Sequence, residues 1–263
     1  MKMHQDQISN LGATALRFIA RTGAVCADFL LPPQCPVCRA RLENSGQLCP
    51  GCWQTLDMIA PPYCDRLGIP FALPGSGKPV SARALANPPE YDRARAAVLY
   101  NDPARRLVLG LKYRDRHDYI AIMVRMMVSA GGELLKDADL ILPVPLHWTR
   151  LWSRRFNQSV QLASAISRIT HIPVLLTGLD RIRRTPRQVG LTGQQRRRNV
   201  SGAFVVRDQA VPMISRRRVI LVDDVLTTGA TVEACAQVLR KSGAARVDIL
   251  TFALVEDPIE GAY

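Results

Sequence analysis

Residues 219–231, Val-Ile-Leu-Val-Asp-Asp-Val-Leu-Thr-Thr-Gly-Ala-Thr, carry the densest chemistry in the chain. Four apolar residues ending at Val222 run into two carboxylates, Asp223 and Asp224, and then into Thr227, Thr228, Gly229, Ala230 and Thr231. In an open parallel sheet, ligands bind beyond the carboxyl ends of the strands. With 219–222 as a buried strand and a helix starting near Thr231, free N–H groups and the helix dipole favour an anion there. The threonine hydroxyls add donors, and Gly229 lets the backbone approach closely. Carboxylates repel a phosphate, so Asp223 and Asp224 must serve sugar hydroxyls or a metal ion that bridges to the anion. A sugar phosphate satisfies both halves of the pattern. Two commoner phosphate loops do not fit: no G-x-G-x-x-G follows a strand, and Gly77-Lys78-Pro79 is not a Walker A loop.

Cys35-Pro36-Val37-Cys38 and Cys49-Pro50-Gly51-Cys52 give a second candidate site: C-x₂-C, ten residues, C-x₂-C. This is zinc-knuckle spacing. Four thiolates close a tetrahedral site with no open position, so the metal would be structural and would fold a module too small for a core of its own. The alternative is a set of buried or redox-active thiols. The chain has 7 cysteines, an odd number that argues for metal over disulfides. Cys64 is followed by Asp65, Arg66 and Leu67 and lacks a partner three residues on, so it is not expected to bind metal. Cys26 and Cys235 read as core residues.

The elements that must position these groups divide the 263 residues into three segments. Residues 1–31 read as a helical lead-in and 32–68 as the cysteine module. Residues 91–256 read as an α/β domain with a mainly parallel sheet flanked by helices. Strands are expected at 95–100, 140–144, 172–176, 219–222 and 247–255. Helices are expected from Asp102 as N-cap with Pro103 behind it, over 119–135, over 157–169 with Leu162, Ile166 and Ile169 on one face, and after Gly229. No internal repeat is evident. No segment reaches the roughly 18 uncharged apolar residues of a membrane span, and residues 16–31 do not form a secretory signal, which makes the cytoplasm the expected address. The net charge of +13 is clustered: seven arginines and no acid lie between Arg181 and Arg198, and Arg216, Arg217 and Arg218 form another run. Such a field attracts polyanions.

The order apolar strand, Asp-Asp, Thr-Thr-Gly-x-Thr resembles the phosphoribosyl pyrophosphate signature of type I phosphoribosyltransferases. Three further stretches are similar to the ComF family, the competence-associated branch of that fold. They are Pro143-Val144-Pro145-Leu146-His147, Arg154-Arg155-Phe156-Asn157-Gln158, and Arg184 with Gln188, Leu191, Arg196, Asn199 and Ala203-Phe204. Gly110-Leu111-Lys112-Tyr113 also matches, so the resemblance spans about residues 30–256. It implies a type I phosphoribosyltransferase-like fold with an N-terminal zinc-ribbon-like module. It implies that Asp223 and Asp224 contact the ribose and serve as the catalytic pair, and that 227–231 cradles the 5-phosphate. Lys112, Pro143, Val144, Pro145, Arg154 and Arg155 would stand on the pyrophosphate side, with Mg²⁺ accompanying the ligand. Arg184, Gln188, Arg196 and Asn199 would belong to a lid that excludes water from a reactive sugar.

Three functions are open at this level. The chain is a phosphoribosyltransferase whose nitrogen acceptor the sequence does not identify. Or it is a non-catalytic accessory protein of DNA uptake that uses the site to bind phosphoribosyl pyrophosphate or a nucleotide, with single-stranded DNA or uptake proteins as partners. Or it is a zinc-ribbon nucleic-acid binder with a vestigial sugar site.

Overall fold

The computed structural model describes residues 33–71, 79–113, 117–146, 157–183, 200 and 202–256, with backbone only at 112, 113, 117 and 118. The lead-in 1–31 lies outside the described residues, as do His147, Arg154, Arg155, Arg184, Gln188, Arg196 and Asn199.

Among the described residues, the central sheet has four strands: β1 (Arg93–Leu99), β2 (Leu140–Pro143), β5 (Arg218–Leu226) and β6 (Arg246–Leu254). Their order is β1-β6-β5-β2 and every pairing is parallel, as the strand–helix alternation requires. β3 (Leu179–Arg181) and β4 (Phe204–Val206) form a separate antiparallel pair. Side chains alternate between two buried faces. Ile141, Ile220, Leu250 and Phe252 point to one, under α3 (Asp102–Tyr113), α4 (His117–Ala130), α5 (Gly132–Asp137) and α6 (Gln158–Thr170). Leu142, Leu221, Val247 and Ile249 point to the other, with Phe204, Ile214 of α7 (Val211–Ile214) and the apolar stripe Val232, Cys235, Leu239 of α8 (Ala230–Lys241). Both faces are covered, which is why the middle of each strand is mostly apolar.

The structure departs from the sequence expectations at four points. The N-cap of α3 is Asn101, whose Oδ1 accepts the Ala104 N–H at 3.1 Å; Asp102 instead pairs with Arg106 one turn on, at 2.8 Å. The helix expected over 119–135 is two helices, because the Gly131-Gly132 pair weakens the helix there and α5 restarts at Gly132. Residues 172–176 add one bridge, Val174 to Ile141, and no longer strand. Ile169 is exposed, because the last turn of α6 overhangs the core before His171 caps it in the left-handed conformation.

The cysteine segment packs on the outer edge of β1. The Ile59 N–H donates to the Ala97 carbonyl at 3.0 Å, and the Leu99 N–H donates to the Asp57 carbonyl at 2.8 Å. An edge strand left open would be a template for aggregation, and this segment closes it. Side chains of the helical layer fasten the module: Tyr119 Oη donates to the Pro36 carbonyl at 3.1 Å, Asn101 Nδ2 to the Thr55 carbonyl at 2.9 Å, Arg106 to the Val37 carbonyl at 3.5 Å and Arg125 to the Gly46 carbonyl at 2.5 Å.

Candidate functional site

β5 runs longer than the apolar stretch suggests, through Leu226, so Asp223 and Asp224 are strand residues and not loop residues. Asp223 is in register with Thr251 of β6, and the Val144 N–H donates to the Val222 carbonyl at 2.9 Å. The carboxylates therefore stand where β2 and β5 end side by side. The chain turns at Gly229, whose φ of 79° is the left-handed region that a side chain would strain. Gly229 is the N-cap of α8 and offers no side-chain cap, so the helix start is left to backbone N–H groups at the cavity. Thr228 Oγ1 is buried without a hydrogen-bond partner, an orphan hydroxyl inside the phosphate-type loop.

A cavity of about 200 Å³ opens over this junction. Asp223, Asp224, Thr227, Gly229 and Thr231 line one wall; Val144, Pro145 and Leu146 line another. Val222, Pro143, Thr228 and Ala230, singled out in the sequence, do not line it. Val222 is fully buried in the sheet and holds the fold of the site through its carbonyl.

Among the polar lining residues, Ser159 and Arg181 were not singled out as contacts by sequence, whereas Gln158 stood in the family-like stretch as a helix cap or a ligand contact. Ser159, in the first turn of α6, donates from Oγ to Asp223 Oδ1 at 2.8 Å, and the Asp224 N–H donates to the same oxygen at 2.9 Å. Two donors on one oxygen fix the carboxylate's rotation. Gln158 is 2% exposed, and its Nε2 has no partner. Arg181 is 9% exposed, with its guanidinium 5.2 Å above the Phe204 ring. In the sequence Arg181 was one arginine of a basic run; the β3–β4 pair turns it into the cavity wall. Ser159 had no signal at all, since it lies 64 residues from its partner. Asn157 serves two roles: Oδ1 caps α6 at the Ser159 N–H, and Nδ2 donates to the Val144 carbonyl, tying the helix start to the β2 loop.

The sulfur site is equally local. The Sγ atoms of Cys35, Cys38, Cys49 and Cys52 all lie within 4.8 Å of one another, and Cys38 and Cys49 approach to 3.5 Å. Sulfurs bound to one tetrahedral zinc at about 2.3 Å stand about 3.8 Å apart, so the four thiols fit the ion. Cys49 caps the short helix α1 (Pro50–Gln54), accepting the Cys52 N–H at 3.4 Å. Burial raises the Cys35 thiol, but the amide N–H groups of Cys38, Cys49 and Val37 overcome it and bring it down to about 7. An easily formed thiolate is what the metal requires. Cys235, fully buried in α8, is pushed up by burial and is a core residue.

Two family domains match the chain: a double zinc ribbon domain over residues 26–84 and a phosphoribosyl transferase domain over 157–261. Competence protein F of Haemophilus influenzae is 30% identical over 224 residues, covering 82% of this chain and 94% of the relative. The chain belongs to the ComF family. Other members of the family are similar at the same level. DNA utilization protein YhgH of Escherichia coli strain K12 is 31% identical over 220 residues, 82% of this chain and 87% of the relative. Its Salmonella typhimurium counterpart is 30% identical over 223 residues. The family membership accounts for both regions: a type I phosphoribosyltransferase-like sheet and an N-terminal ribbon with ligands for a structural zinc. Among the described residues, no helix is long and apolar enough to cross a membrane.

Proposed function

We propose that the cavity over β5 binds phosphoribosyl pyrophosphate together with Mg²⁺, and that the chain can transfer the phosphoribosyl group to a nitrogen acceptor. The observation that carries this reading is the Asp223-Asp224 pair at the end of a buried strand beside an uncapped helix start with an orphan hydroxyl. The N–H groups of 227–231 hold the 5-phosphate, and the dipole of α8 adds to their pull. Asp223 and Asp224 accept from the ribose hydroxyls, Asp223 held in place by Ser159. Their negative charge suits a sugar that becomes oxocarbenium-like as pyrophosphate departs. Arg181 and the residues at 144–146 stand on the remaining wall, where pyrophosphate must lie. Mg²⁺ would neutralise the pyrophosphate, and hard carboxylate oxygens are its ordinary protein ligands. Lys112, Arg154, Arg155 and the lid positions Arg184, Gln188, Arg196 and Asn199 complete this reading.

The relatives' names favour a second reading, an accessory role in DNA uptake or use with the sugar-phosphate site as a ligand sensor. The ribbon exposes Trp53, Arg39 and Arg41, which is chemistry for single-stranded DNA: a ring for base stacking and charge for phosphates. One experiment separates the two. Purified protein is titrated with phosphoribosyl pyrophosphate and Mg²⁺ in a calorimeter, and pyrophosphate release is followed with and without a pool of nitrogen bases. Release supports transfer. Binding without release supports the sensor. Absence of binding removes both.

A further inference from the structure

The module between residues 33 and 86 contains the same hydrogen-bonded turn twice. In the first, the Cys35 N–H donates to Ala40 O, Arg39 N–H to Cys35 O and Leu42 N–H to Pro33 O, each at 2.8 Å, and Gln34 is bridged to Arg41. In the second, Cys64 N–H donates to Ile69 O and Gly68 N–H to Cys64 O, both at 2.8 Å, Phe71 N–H donates to Pro62 O at 3.0 Å, and Tyr63 is bridged to Pro70. Every partner is displaced by the same 29 positions. The left-handed residue falls at the same place, Arg39 at φ 63° and Gly68 at φ 69°.

A short helix follows each turn. Cys49 caps α1 at φ −67°, ψ 156° and accepts from the Cys52 N–H. Ser81 caps α2 (Ala82–Ala86) at φ −68°, ψ 151° and accepts from the Ala84 N–H. The amide N–H groups that reach the buried sulfur also correspond: Val37, Cys38 and Cys49 act on Cys35, while Arg66, Leu67 and Ser81 act on Cys64. The four metal ligands Cys35, Cys38, Cys49 and Cys52 thus map onto Cys64, Leu67, Ser81 and Ala84. One sulfur survives, and the Ser81 N–H donates to it at 3.3 Å. Leu67 packs against the core, and Ala84 is fully buried. These residues do not fit a metal ion.

Something else occupies the structural role. Arg95 of β1 is 3% exposed. It donates through Nη2 to Asp65 Oδ1 at 2.7 Å, through Nη1 to the Asp65 carbonyl at 2.6 Å, and through Nε to Glu133 Oε1 at 2.7 Å. Its guanidinium lies 4.6 Å over the Tyr63 ring. The Ala94 N–H donates to the Arg66 carbonyl at 2.8 Å, and a Cβ at Gly68 would come within 2.5 Å of the Ala94 carbonyl. The second turn is pressed onto the sheet at this one residue pair.

Residues 62–86 fall within the double zinc ribbon match over 26–84, and we propose that this second ribbon has exchanged its metal for an arginine clasp, with Arg95, Asp65 and Glu133 doing there what zinc does at Cys35, Cys38, Cys49 and Cys52. The chain then binds one zinc, and loss of that zinc releases the first ribbon while the second stays on β1.

The test uses the full chain. Metal analysis of the purified protein is expected to give one zinc per chain; two would overturn the proposal. The Leu67→Cys/Ser81→Cys/Ala84→Cys variant is expected to bind two, with the thiolate-to-cobalt absorption doubled after cobalt exchange. A folded variant that still binds one shows that the two backbones are not equivalent. The Arg95→Met variant is expected to keep one zinc while proteolytic cleavage within 62–86 accelerates about tenfold or more, since cleavage follows the population of the opened segment. Unchanged protection of 62–86 in that variant would overturn the clasp even if the triple variant does not fold.

Discussion

At the carboxyl ends of β2 and β5 the proposed ligand site offers backbone N–H groups and two carboxylates fixed by their strand. In the ribbon fastened to the helical layer beside β1 the groups are four thiols gathered as a metal site. The first site is assembled by a sheet buried on both faces, and its side chains can be exchanged without loss of the fold. In the first ribbon, metal ligation and folding are the same event. The difference teaches that one molecule keeps its phosphate-type site by topology and its edge cover by coordination. The two should therefore fail separately.

The largest expected effect is on the ribbon. Cys49→Ser is expected to abolish zinc content and to open residues 33–55, because structural zinc contributes about 10–16 kcal/mol in zinc-finger peptides. Metal analysis and amide exchange measure this. Affinity for phosphoribosyl pyrophosphate is expected to stay within about twofold, since the cavity draws none of its lining from the ribbon. A large fall in affinity would break the comparison by showing the two regions coupled.

The converse change is Asp223→Ala with Asp224→Ala. Each charge-assisted hydrogen bond to the ribose contributes about 1.5–3 kcal/mol, so binding is expected to weaken roughly a hundredfold or more, with zinc content unchanged. Calorimetry decides it, and surviving affinity would refute the site. Ser159→Ala sharpens the same point. It removes one hydrogen bond to Asp223, with about 1 kcal/mol lost and roughly a fivefold weaker ligand.

The smallest effect is on the acid stability of the sheet. Asp139 accepts from the Arg218 side chain and backbone N–H, which hold its carboxyl down at about 2, below the ordinary 3.8. A depressed carboxylate contributes stability that is present above its unfolded value and lost as pH falls through its folded value. Asp139→Asn is therefore expected to remove a small stability increment above pH 4 that the parent loses between about pH 4 and pH 2. Thermal unfolding across that range reads the difference. The pair is half exposed, so the increment is at the small end for surface ion pairs.

What could be read in the sequence was local. The apolar strand, Asp223-Asp224 and the threonine loop occupy thirteen consecutive residues, and the four zinc ligands lie within eighteen, so spacing alone carries their chemistry. The parallel α/β class followed for the same reason, from strands and helices alternating along the chain. Other features needed the fold. Ser159 reaches Asp223 across 64 residues, and Arg181 becomes a cavity wall because β3 and β4 pair. The second ribbon shows the limit most clearly. Its backbone hydrogen bonds persist while Leu67, Ser81 and Ala84 have replaced the cysteines that would announce it. The family match over 26–84 reaches the second ribbon, but an arginine from a distant strand that holds it leaves no spacing to read. The missing cysteine after Cys64 was legible in the sequence; only the tertiary structure, which brings Arg95 to Asp65 and Glu133, shows what holds that turn against β1, because the three residues lie on separate elements.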